Sequence, residues 1–156
     1  MGDEILTSAE AMERAVLPDA RAVHCDPAAP KTPEQVPLPD KIAKKPLDQK
    51  SPAEWAYERI ILYIRDFEEK LDAEHEVAMG FAGSDEGVMR IEGMGFFAPD
   101  IITYYGADAE GVKSQLIQHV SQLSVTLRAL PKQEPDQPAQ RIGFRLAGDL
   151  ENDAPA

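Results

Sequence analysis

Residues 51–71 read SPAEWAYERIILYIRDFEEKL, and this stretch decides the fold. Ser51 stands where a hydroxyl caps an orphan amide, Pro52 follows where a missing N–H costs nothing, and Glu54 is placed to complete a capping box. Tyr57, Ile60, Ile61, Ile64, Phe67 and Leu71 then recur at spacings of three and four, on one helix face. Trp55 and Leu62 widen that face, while Glu58, Arg65, Asp66, Glu69 and Asp72 line the other side. The pattern predicts a helix over 51–71, about 30 Å long. Its apolar face needs cover from a sheet, from a second subunit, or from both.

Beyond Leu71 the period changes to two. Val77, Met79 and Phe81 alternate with smaller or polar residues and predict a first strand. Gly83 to Gly87 reads as a hairpin turn. Val88 to Met94 predicts a second strand, in which Gly93 and Gly95 mark a bulge or sharp bend. Pro99 restarts the chain, and Ile101 to Tyr105 is β-branched and aromatic, a third strand. After a turn over Gly106 to Gly111, Val112 to His119 and Leu123 to Leu130 predict two more strands, interrupted at Val120 to Gln122. Arg141-Ile142-Gly143-Phe144-Arg145-Leu146 alternates and reads as an edge strand. The expected fold is α+β: one long helix on a strongly bent antiparallel sheet of about five strands, of the kind that can close into a small barrel.

Four segments follow from this reading. Residues 1–50 are a flexible arm, with a short helix expected over Glu4 to Val16; eight of the 13 prolines fall between Pro18 and Pro52. Few large apolar residues stand in that arm to offset the entropy of ordering it. Residues 51–131 are the core domain, 132–146 a linker and edge strand, and 147–156 an acidic disordered tail.

Charge narrows the function. The chain carries a formal charge of −12, and the core alone has 14 Asp and Glu against 6 Lys and Arg. Gripping phosphates needs clustered Lys and Arg, so nucleic acid is disfavoured as a partner. Lys41, Lys44 and Lys45 are flanked by Asp40 and Asp48 and read as a solvated linker. The lone Cys25 can form no intrachain disulfide, and with His24 it makes no metal set, so no cofactor is expected. No apolar run approaches the length of a membrane span, and the acidic start lacks the form of a secretory signal. A cytoplasmic location is expected.

The text SPAEWAYERI (51–60), PDIITYYG (99–106), SQLIQHVSQLSV (114–125) and RIGFRL (141–146) resembles a small bacterial family known only as a domain of unknown function. The resemblance runs over about Ser51 to Leu146 and implies no activity. The order of elements, a helix followed by about five short bent strands, is also similar to Sm-like proteins such as Hfq. In those proteins the fourth strand leads into a tyrosine-lysine-histidine sequence that helps hold uridine. Gln115 to Val120 resembles that segment in place, with His119 matching while Ile117 and Gln118 stand for the tyrosine and lysine. The resemblance implies a ring of subunits joined by strand edges.

His119 is therefore the first candidate contact, because imidazole titrates near neutral pH. Gln118 and Tyr104 complete the expected ligand site. Tyr104, Tyr105, Phe96 and Phe97 could stack on bases, although alternation turns one of each pair to the core. A triad of His119 with Asp100 and Ser121 would need the fold to bring them together. Lacking any catalytic or metal motif, the chain reads as a non-enzymatic, self-associating module that binds a protein partner, with the Tyr57 to Leu71 face as its oligomer or helix-packing surface. The alternative is an Sm-like ring that binds RNA or a small nucleotide.

Overall fold

The computed structural model describes residues 20–43, 49–81 and 87–151. The expected helix over Glu4 to Val16, Lys44, Lys45 and most of the turn before Gly87 lie outside the described residues. The chain divides into two units, Met1–Lys50 and Ser51–Ala156. Described residues of the first hold a 3-10 turn, Pro33–Gln35, and one helical turn, Asp40–Ala43.

The second unit opens with helix α1, Pro52–Glu69. Its start follows from its sequence: the Ser51 hydroxyl accepts from the Glu54 N–H at 3.1 Å. Tyr57, Ile60, Ile61 and Ile64 are buried, with Phe67 and Leu71 packed against the same cluster. Strands β1 (His75–Phe81), β2 (Val88–Phe97), β3 (Ile101–Ala107), β4 (Lys113–His119) and β5 (Val125–Pro131) follow. All pair antiparallel, in the order β4-β3-β2-β1-β5.

The strand pairing is irregular at two places. The register shifts between Ile91 and Gly93, the bulge that the glycines foretold. β1 meets β2 only at Met79↔Met89 and Gly80↔Val88, while all seven of its residues pair with β5. The sheet stays open, with β4 and β5 as its edges, and no barrel closes. Gly106 belongs to β3 rather than to the expected turn. A side chain there would meet the Arg90 carbonyl oxygen at 2.1 Å, so this close approach of two backbones requires glycine.

The apolar face of α1 lies on this sheet. Ile61, Ile64, Met79, Ile102 and Tyr104 are fully enclosed, and each such side chain is worth roughly 1.5–3 kcal/mol of burial. The Tyr104 ring packs edge-on against Phe81 at 4.8 Å, and the Tyr57 ring lies tilted against Phe96 at 5.1 Å. That face is a helix-packing surface within one chain; the expected oligomer role does not fall to it.

The C-terminal segment departs from expectation. The edge strand expected at 141–146 and the first part of the tail expected from Ala147 are instead a second helix, α2, Ile142–Glu151, and residues 152–156 lie outside the described residues. Ile142, Leu146 and Leu150 stand four apart and pack on the core with Ala147, a period visible only when the window runs past Leu146. The linker before it is tied down as well. The Glu76 carboxylate accepts from the Gln140 N–H at 3.0 Å, and Arg141 donates to the carbonyls of His75 and Asp72 at 2.7 and 2.8 Å.

Candidate functional site: the turn between β4 and β5

Between β4 and β5 the chain makes one 3-10 turn, Val120–Gln122. His119 is its N-cap. The Ser121 N–H donates to His119 Nδ1 at 3.0 Å, and the His119 N–H donates to Gln122 Oε1 at 3.0 Å. The residues that looked like an interruption of two strands therefore build a closed capping box. Two backbone bonds anchor this end of the domain. The Val120 N–H donates to the Asp100 carbonyl at 2.8 Å, and the Ala53 N–H, in the first turn of α1, donates to the Pro99 carbonyl at 3.0 Å.

The fold does bring Asp100, His119 and Ser121 together. His119 Nε2 lies 3.2 Å from Asp100 Oδ2, and His119 Nδ1 lies 2.8 Å from Ser121 Oγ. Because Nδ1 accepts from a backbone N–H, the ring proton sits on Nε2 and points to Asp100. The serine hydroxyl then donates to Nδ1. This is the connectivity of a catalytic triad, but Nδ1 already serves a main-chain donor in the same direction. The His119 and Asp100 side chains are also 46% and 43% exposed, so among the described residues the pair stands open to water. The arrangement is suited to fixing the turn and to offering an oriented imidazole at the surface.

The three expected ligand contacts do not form one site. Directly paired residues share a face of a sheet, and Ile102 pairs with Gln118 while Ile101 pairs with His119. Gln118 therefore lies on the same face as Ile102 and Tyr104, opposite His119. Its amide donates to the Gln122 carbonyl at 3.4 Å. Tyr104 is wholly buried, its hydroxyl has no hydrogen-bond partner among the described residues, and burial pushes its phenol above the ordinary range. It is a core residue.

The residues that do accompany His119 are those on the outer face of β2, β3 and β4. Phe97 pairs with Ile101, and Thr103 with Ile117; Phe97 is 76% and Ile117 62% exposed. The Tyr105 ring lies against Gly93, where a Cβ would be 3.7 Å from it. Tyr105 and Phe97 are the outward members of the two aromatic pairs, as alternation predicted, and Tyr104 and Phe96 the inward ones. Phe97 and Tyr105 are thus the two of the four candidate stacking aromatics that share His119's face, and Ile117, which alternation also places there, joins them.

Among the described residues no three of His, Cys, Asp and Glu converge on a metal position, and no helix is long and apolar enough to cross a membrane. No curated protein and no solved structure gives a significant match. A family described as of unknown function, DUF6173, matches residues 47–145, which covers α1, the whole sheet and the entry to α2. The chain belongs to that family.

Proposed function

We propose that this protein is a non-enzymatic, self-associating cytoplasmic module whose copies join through the edges of the sheet, leaving the outer face and arms for a protein partner. The observation that carries this is the pair of edges, β4 and β5, that no strand covers among the described residues, each seven residues long. An exposed edge is a row of unpaired N–H and C=O groups that natural proteins cover or pair. The hydrogen-bond phase identifies them. Val120 bonds back to Asp100 across the β3 side, whereas the His119 N–H turns away to Gln122. Hence Lys113, Gln115 and Ile117 direct their backbone groups to the open edge of β4. On β5, Lys132 bonds to Glu74 on the β1 side, so Val125, Leu127 and Ala129 direct theirs outward.

Gln115→Pro tests this reading, because it deletes an outward N–H and leaves the β3 bonds in place. Sedimentation of the full chain should show an assembly for wild type and at least a tenfold weaker one for Gln115→Pro. A wild-type monomer throughout the micromolar range, or an unchanged assembly in the variant, would contradict it.

A second reading, an Sm-like ring that binds RNA or a small nucleotide, draws support from the helix-then-five-strands order and from the oriented, exposed His119. It predicts that His119→Ala weakens binding of uridine-rich oligomers while assembly persists. Absence of salt-sensitive binding by wild type would remove the RNA version.

A further inference from the structure

Glu68 is a buried acid in the seam between α1 and α2, with its carboxyl only partly satisfied. The residue is 5% exposed. One oxygen, Oε1, accepts from the Gly143 N–H at 2.5 Å, in the first turn of α2. The other, Oε2, has no hydrogen-bond partner among the described residues. The seam admits nothing larger. A Cβ on Gly143 would lie 2.3 Å from Oε1 and 3.0 Å from the Arg65 backbone.

The neighbouring charges do not offset this burial. Arg141 enters α2 beside the acid and favours its ionised form, as does the amide-bearing end of the helix. Its guanidinium, however, is bonded to the carbonyls of His75 and Asp72. On α1, Arg65 pairs with Glu69 at 3.4 Å. From β1, Glu76 opposes the charge; it is held by the Gln140 N–H and lies 3.8 Å from Arg90 of β2. Burial wins, and the Glu68 carboxyl is pushed up to about 6.

We propose that α2 is a proton-controlled cover: it seats on α1 when Glu68 carries a proton and loosens when Glu68 is ionised. Loosening uncovers the apolar seam formed by Ile142, Leu146, Ala147 and Leu150. The device is independent of how the sheet edges pair, because it uses only the contact between the two helices.

Hydrogen exchange of the full chain tests it, with intrinsic rates corrected for pH. The carboxyl moves from 4.5 to about 6 on burial, so protection over 142–151 should fall as pH rises from 5 to 8, by about 8-fold. Protection in β1 and β3 should change less, which separates release of α2 from global unfolding. Glu68→Gln keeps the acceptor and removes the charge, and should hold α2 protected at every pH. An α2 whose wild-type protection does not change with pH overturns the proposal, and so does a Glu68→Gln chain with the wild-type profile.

Discussion

The two helices of the second unit begin in opposite ways. α1 takes its cap from Ser51, three residues from the amide it serves. α2 takes its acceptor from Glu68, 75 residues away in sequence. The first cap exists as soon as the local chain turns, and it reports on nothing else. The second exists only once α1 has formed and the two helices are packed, and it is made by a group that titrates. A remote cap ties the stability of one element to the packing and the pH of another.

The strongest way to break this comparison is to fill the seam. Gly143→Ala places a methyl against the Glu68 carboxyl and the Arg65 backbone, and overpacking of this kind should cost about 3 kcal/mol, read by urea denaturation. The α1 core itself should survive, leaving α2 detached.

A smaller effect comes from pH. Glu68 holds its proton more tightly folded than unfolded, so between pH 4.5 and about 6 the folded chain binds more protons. Its contribution is therefore full below 4.5 and is lost as pH rises through 6, on the order of 2 kcal/mol. Urea midpoints across pH 4.5 to 8 measure it, and Glu68→Gln should flatten that part of the curve. The smallest effect is at the local cap. Ser51→Ala should cost about 1 kcal/mol, with no dependence on pH over the same range, and its added hydrogen exchange should be confined to the first turn of α1.

The same contrast explains what could be read in advance. α1, the five strands, the bulge at the glycines and the break at Val120 to Gln122 all rest on neighbours in sequence, and all were legible. RIGFRL misled because six alternating residues fit a strand, and the helical period emerges only with Ala147 and Leu150. The failure at the site was of a different kind. Gln118 and His119 are adjacent in a strand, so alternation alone already barred them from sharing a face. What no local pattern could supply was strand order. That β5 pairs with β1, leaving β4 and β5 as the edges, depends on a long-range choice. The meeting of Asp100 with His119 likewise needed the β3–β4 register.

That open-edged sheet carries the account, and the consequence we propose for it is assembly. Native mass spectrometry of the full chain tests it most directly. The account predicts a discrete assembly of several copies at an integral multiple of the chain mass, with no additional mass bound. A bare monomer across the micromolar range would contradict it.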